Sequence, residues 1–295
     1  MDIRQLSYFL EVAKEVSFSK ASVKLHLSQP TLSKVVKNLE EEIGMALFDR
    51  STRRMHLTEA GEVVQAQAQM IIQSMENLLS AVADLSQMKT GKFRLGLPPV
   101  IGSSFFPEII AQFHALHPQI KIELIEEGGK LIERSLLEGN IDLGIVVLPV
   151  DEQLFEIVPI IQRELKLVVN IKHPLAGRNK VNLQELQNEA FILFRQGFAI
   201  HDRVREACIR KGFEPNISYE STQWDLMSEM VIANLGISLL PETITAKLDP
   251  TRICIIPEIE PAVHWNLGII WAKNKYLSHA ARGWIEFVRD RFQVN

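Results

Sequence analysis

Apolar positions at Ile3, Leu6, Phe9, Leu10, Ala13 and Val16 fall on one side of a helix, so the chain opens with an amphipathic helix. A second helical period runs through Ala21, Ser22, Leu25, Leu27, Leu32, Val35, Val36 and Leu39. It breaks once, around His26 to Ser28, and resumes in a new phase. Two short helices crossing at a tight turn account for that break. Ser28 is a natural N-cap for the second of them, and Pro30 sits in its first turn, where a missing N–H is harmless. The polar side of this second helix presents Gln29, Thr31, Ser33, Lys34 and Lys37, side chains able to reach base edges and phosphates. A solvated surface helix could show the same set. Next, Leu47 and Phe48, then Arg50, Arg53 and Arg54, then Met55 and Leu57 read as a β-hairpin with an arginine tip, fit either for a DNA backbone or minor groove or for plain solvent.

From Thr58 the pattern becomes one long helix, capped by Thr58 with Glu59 in its first turn. Val64, Ala68, Ile71, Met75, Leu78, Val82 and Leu85 recur at alternating spacings of four and three, a heptad seam that ends only at Gly91. A helix of roughly thirty residues is about 45 Å long, more than a small head can cover, so the seam calls for a partner helix. Beyond Gly91 strands and helices alternate. The expected strands are 92–97, 120–125, 141–147, 165–170, 191–194, 216–219, 237–240 and 267–271; the expected helices are 103–117, 129–137, 201–211, 224–233 and 277–292. This rhythm predicts a parallel α/β sheet in two similar halves joined by two crossovers, hence a multidomain chain of α-helical head, linker helix and α/β body.

Parallel sheets bind ligands beyond the carboxyl ends of their strands. That places interest on the loop after the first strand, with Pro99, Val100, Gly102, Ser103 and Ser104, where the serines cap a helix and are open to a carboxylate as well. Gly129 starts another helix facing the same region, and Gln196, Gly197, Phe198 and Thr222 follow strands of the second half. The apolar share of these loops favours a small ligand such as a short-chain organic acid.

A net charge of −4 argues against a protein coated in basic surface, while four lysines and no acid between Ser17 and Leu39 leave room for a local basic head. Charges at Asp2, Arg4, Glu11 and Lys14 exclude a secretory h-region, and no apolar run reaches the ~20 residues that span a bilayer. A cytoplasmic protein with no membrane partner is expected. Cys208 and Cys254 read as core thiols rather than a redox pair. His114 and His117 lie three apart but lack a third ligand at recognisable spacing, and no nucleophile, base or phosphate-loop motif appears, so no enzyme, metal or cofactor is expected.

The stretch SQPTLSKVVKNLEEEIGMALFDRSTRRMHLTEAG resembles the winged helix-turn-helix signature of LysR-type transcriptional regulators, and the likeness extends along the whole chain in domain order. It departs at Ser22, where alanine is commoner. The resemblance implies a DNA-binding domain over 1–58, a linker and dimerisation helix over 59–90, and an effector-binding domain over 91–295, with subdomain I at 91–161 and 265–295 and subdomain II at 162–264. It implies double-stranded promoter DNA as partner, read by Gln29, Pro30, Thr31, Ser33 and Lys34, with Lys37, Arg50, Arg53, Arg54, Ser17, Ser19 and Lys20 nearby. It also implies a homodimer or homotetramer that bends DNA and, as an activator would, alters recruitment of RNA polymerase when a small effector enters the cleft between subdomains. Glu40 is structural in that family. Many members carry a hydroxyl where this chain has Val100. A solute-binding carrier whose first part only dimerises, or an enzyme with an added DNA-binding domain, would be the alternatives.

Overall fold

The computed structural model describes residues 1–49, 55–85, 91–102, 106–273 and 275–292. The chain forms two compact units, Met1–Met88 and a second beginning at Lys89.

In the first unit, α1 (Ile3–Glu15), α2 (Phe18–Lys24) and α3 (Gln29–Ile43) enclose a core of Leu6, Phe9, Val12, Ala21, Leu32, Val36 and Leu39. A short antiparallel hairpin, β1 (Phe48–Asp49) with β2 (His56–Leu57), follows; its tip, including Arg50, Arg53 and Arg54, lies outside the described residues. Each helix starts on a side-chain cap: Asp2 accepts from Gln5 in a reciprocal capping box, Ser17 accepts from the Lys20 amide, and Ser28 accepts from the Thr31 amide. Helix α4 (Glu59–Leu85) starts on Thr58, whose Oγ1 accepts from Gly61 N at 3.0 Å and donates to Ala46 O at 2.7 Å.

The heptad seam divides in two. Val64 and Ala68 join the head core, because α4 begins by packing on α1, whereas Ile71, Met75, Leu78 and Val82 are 44, 44, 62 and 58% exposed. The first two seam positions therefore serve the head itself, and Ile71, Met75, Leu78 and Val82 form an exposed apolar stripe; the Leu85 side chain lies outside what is described.

The second unit holds a sheet ordered β4 (Ile120–Glu126), β3 (Gly91–Leu97), β5 (Leu143–Val147), β14 (Leu267–Ala272) and β6 (Phe155–Ile161). Around it lie α5 (Pro99–Gly102), α6 (Phe106–Leu116), α7 (Gly129–Glu138) and α11 (His279–Phe292). The sheet is mixed, contrary to the parallel sheet expected: β3 runs parallel to β4 and β5, but β14 returns late in the chain and pairs antiparallel with both β5 and β6. The rest comprises β7 (Leu165–Asn170), β8 (Lys180–Asn182), β9 (Ala190–Phe194), α8 (Ala199–Arg210), β10 (Asn216–Ser221), α9 (Trp224–Ile232), β11 (Ser238–Pro241), α10 (Glu242–Thr245), β12 (Ile253–Ile256) and β13 (Glu258–Glu260). Strand β7 pairs antiparallel with β11 and β12, β9 pairs parallel with β10, and Ile237 joins β9 through two 2.8 Å backbone bonds. Strands β6, β8 and β13 escape a periodicity reading because they are short or interrupted by Pro159.

The chain crosses between the two groups of strands twice, and the crossings pair with each other. Leu165 N donates to Val263 O at 2.8 Å and Trp265 N to Arg163 O at 2.7 Å. At the head of the first sheet, Arg94 clamps Asp142 through its backbone N (2.7 Å), Nε (3.3 Å) and Nη2 (3.0 Å).

Candidate DNA-reading face and effector cleft

On α3 the three buried residues, Leu32, Val36 and Leu39, fix which side looks outward. Gln29, Pro30, Thr31, Lys34 and Lys37 are exposed, and Ser33 is half-buried at the edge of the same face. The Ser28 and Thr31 hydroxyls lie 2.7 Å apart, which orients Thr31, and Lys34 has no ion-pair partner among the described residues. Lys37 sits 3.5 Å from Glu41, both well exposed, an attraction too screened to hold the ammonium from a phosphate. The exposed Ser19 and Lys20 flank the start of α2, where the Ser17 hydroxyl is already committed as cap. Lys24 does not add to this field, because Glu11 and Glu15 of α1 pair with it. Ser22 fits the crossing as alanine would: it is buried and donates its hydroxyl to Ser19 O at 2.9 Å.

The run of acids in the last turn of α3 is partly structural. Glu40 Oε1 accepts from Leu47 N at 2.8 Å and Phe48 N at 3.2 Å, fixing the start of the hairpin against the end of α3. Glu42 pairs with the chain's first amino group and accepts from Gln5 Nε2, contacts that hold its carboxyl below the usual range.

In the second unit two contiguous cavities lie between the strand groups, sharing Gly129, Val147 and Ala199. The inner one, about 20 Å³, is walled by Pro98, Val100, Ile101, Phe198, Ile200 and Trp265. The outer, about 320 Å³, is walled by Lys130, Glu133, Val146, Pro149, Gly197, Asp202, Arg203 and Glu206, and falls at the small end of the range for small-molecule sites. Of the residues singled out in the sequence, this cleft gathers Val100, Gly129, Gly197 and Phe198. Pro99 and Gly102 do not line it: residues 99–102 coil into the helical turn α5, with the Ile101 and Gly102 amides both bonded to Pro98 O, instead of forming an open loop. Gln196 and Thr222 are exposed and outside its walls, Thr222 because β10 is an edge strand. Ser103 and Ser104 lie outside the described residues. Trp265, Arg203 and Asp202 were invisible to strand-end reasoning, since one sits in a crossover and the others one turn into a helix.

Direct contacts tie the two sides of the cleft together. Arg203 Nη2 donates to Leu148 O at 2.7 Å, Lys130 Nζ lies 3.3 Å from Asp202, and a Cβ at Gly128 would come within 2.9 Å of Gly197 O, so two backbones touch where no side chain fits. Burial raises the Asp202 carboxyl, but bonds from His201 and Lys130 outweigh it and leave the group below its usual range. Glu133 is pushed up by burial first; Lys130 pulls it back in part, and Asp151 adds to the rise. His201 is 3% exposed between Asp202 (3.0 Å) and Glu220 (3.3 Å), the latter at ion-pair distance without hydrogen-bond alignment.

Residues 3–62 match the helix-turn-helix model for bacterial regulatory proteins of the lysR family, and residues 86–293 match the LysR substrate binding domain. The chain belongs to the LysR family of transcriptional regulators. Its similarity to YwbI of Bacillus subtilis (strain 168), an uncharacterized HTH-type transcriptional regulator, is 48% identity over 290 residues, covering 98% of this chain and 96% of that one. Among solved structures it resembles a full-length OxyR from Pseudomonas aeruginosa that carries a cysteine-to-aspartate substitution (TM-score 0.77, 27% identity, 100% of this chain and 95% of that chain). It also shares its fold with full-length CbnR complexed with its target DNA (TM-score 0.73, 23% identity, 98% and 99%). The family is one of DNA-binding regulators rather than enzymes. Among the described residues no group of three or more His, Cys, Asp or Glu is placed to hold a metal, and no helix is long and apolar enough to cross a membrane.

Cys208 is fully buried on α8, and burial, aided by Glu214, pushes its thiol up to about 12. That leaves on the order of a thousandfold less thiolate than an ordinary cysteine has at neutral pH. Alkylation of native protein should label Cys254 on the half-buried β12 and leave Cys208 unmodified until denaturant is added; mass mapping of both peptides checks this.

Proposed function

We propose that this LysR-type regulator reads promoter DNA with the exposed face of α3 and responds to a small-molecule effector, a short-chain organic acid, seated in the cleft. The carrying observation is the α3 face itself: Gln29, Thr31 and Lys34 are held outward by three buried leucine and valine anchors on a helix whose first turn is fixed by Ser28. Helix amides, an amide side chain, a hydroxyl and an exposed ammonium supply both base-edge and phosphate contacts. Residues 1–58 serve as the DNA-binding domain, 59–90 as linker and 91–295 as effector domain, with Ser17, Ser19, Lys20, Lys37, Arg50, Arg53 and Arg54 contacting phosphates or the minor groove. The exposed stripe of Ile71, Met75, Leu78 and Val82 supports pairing of two α4 helices, which spaces the heads for a near-palindromic operator in a dimer or tetramer. In a cytoplasmic regulator of this kind, the effector alters the arrangement of the cleft walls and so DNA bending and RNA polymerase recruitment. It does so only by favouring one arrangement over the other.

The test is a gel-shift titration against DNA upstream of the protein's own gene, at two salt concentrations with excess unrelated DNA. Competitor-resistant binding that weakens steeply with salt is the expected result; binding no tighter than to unrelated DNA, at this and neighbouring promoters, refutes the reading.

A further inference from the structure

A groove of about 440 Å³ lies on the crossings themselves and shares no wall residue with the two cleft cavities. Glu164 and His264 stand opposite one another in the antiparallel pair that the crossings make. Side chains alternate along such a pair, so Gln162, Glu164, Lys166, His264 and Asn266 share one face, and Leu165, Val263 and Trp265 share the other. Burial follows that alternation: the second set is buried, and the first is exposed or half-buried and lines the groove. Trp265 walls the inner cleft cavity, so groove and cleft lie on opposite faces of one two-stranded connection. Arg163, from the first crossing, and Glu242, from α10, complete the groove.

The groove has no apolar wall residue among those described, and much of its bonding capacity is unused. Lys166 is only 21% exposed, yet its ammonium has no hydrogen-bond acceptor among the described residues, and Glu164 lies 4.0 Å away. His264 Nδ1 is 3.9 Å from the other oxygen of Glu164, and Arg163 Nε is 3.6 Å from Glu242. All three distances are too long for a hydrogen bond. The side-chain amides of Gln162 and Asn266 likewise have no partner among the described residues. A largely covered ammonium without an acceptor is better satisfied by an anionic oxygen. Carboxylates held this loosely still accept from hydroxyl groups. The volume falls within the range of small-molecule sites.

We propose that this groove is a second small-molecule site, for a polyhydroxylated anion such as a sugar acid or a sugar phosphate. The acid group meets Lys166, with Arg163 and the Asn266 amide beside it, and hydroxyls donate to Glu164 and Glu242. Because the walls come from both crossings and from α10, an occupant that fits one angle between the two groups of strands better than another shifts the cleft on the far face. That last step rests on the reading of the cleft as the effector site; binding in the groove does not.

The test is titration calorimetry on full-length protein with three- to six-carbon sugar acids, sugar phosphates, the matching neutral sugars and inorganic phosphate, while the His264 ring resonances are followed by NMR. At least one hydroxylated anion should bind and move those resonances, with its neutral sugar and inorganic phosphate each at least ~10-fold weaker; whether the acid or the phosphate binds tighter identifies the charged group. Lys166→Met, which removes the ammonium and keeps an apolar stem, should weaken binding ~10- to 100-fold, and Arg163→Gln should weaken it about tenfold. If Lys166→Met melts early without ligand, Arg163→Gln and the wild-type resonances decide. No binding by any member of the panel, a neutral sugar binding equally well, inorganic phosphate binding as tightly as a sugar phosphate (an adventitious ion only), or unmoved His264 resonances overturns the proposal. A DNase footprint with and without the bound anion should differ. Binding with an identical footprint overturns the coupling to the cleft, whereas the absence of any specific footprint brings down the DNA-binding reading and leaves the calorimetric result standing.

Discussion

Replacing Gln29 and Lys34 together by alanine should reduce specific DNA binding by roughly 100-fold or more while leaving the melting midpoint unchanged. Both side chains are exposed on α3 and neither supports the head core, so truncating them affects the DNA interface and little else. A good base-edge pair is worth ~1–3 kcal/mol of discrimination, and removing one phosphate-binding charge lowers the salt slope by about one. The two single variants should therefore behave differently in the gel shift. Gln29→Ala should relax the preference for operator over unrelated DNA, and Lys34→Ala should weaken both alike with a shallower salt dependence. Unchanged binding in the double variant would mean that α3 is not the reading helix.

The second large effect belongs to Glu40→Ala. Its carboxylate accepts from two backbone amides, at Leu47 and Phe48, both residues nearly inaccessible to solvent. Bonds from amides to a charged acceptor are among the stronger ones, and two buried donors left unmatched cost ~3 kcal/mol together. For a unit of this size that corresponds to a fall in melting temperature of more than ~10 °C, with the hairpin start detaching from the end of α3. Glu40→Gln keeps an acceptor oxygen and should recover about half of the stability. Glu41→Ala, one residue on and exposed, is the control and should melt like the wild type. Equal behaviour of Glu40→Ala and Glu41→Ala would show that the carboxylate is not holding the hairpin.

Local rules made much of this architecture readable in advance. The break at His26 to Ser28, the Ser28 cap and Pro30 define α3 because capping and helical periodicity act within a few residues, and each appears in the structure where the pattern put it. The same holds for Thr58 at the start of α4 and for most strands and helices of the α/β body. The family signature added the order of the domains, and the comparisons bear out the family.

What the sequence left open depended on residues distant in the chain. The strand near 267 was visible, but its insertion antiparallel between β5 and β6, which makes the sheet mixed, is a choice of partner that no local period records. The heptad seam was visible too, yet only packing on α1 shows that Val64 and Ala68 belong to the head and that the free stripe begins at Ile71. The cleft is the clearest case. Gly129, Gly197, Phe198 and Val100 stand at strand and helix ends, where a general rule finds them. Trp265, Glu133, Asp202 and Arg203 become wall residues because two crossings pair and the fold draws β5, α7 and α8 around one space. The sequence by itself determined most of the elements, α3 and its exposed face among them, since hydrogen bonding and burial over one or two turns suffice for those. Tertiary structure alone decided strand partners and cleft walls, since these follow from pairings between segments distant in the chain, such as Trp265 with Arg163.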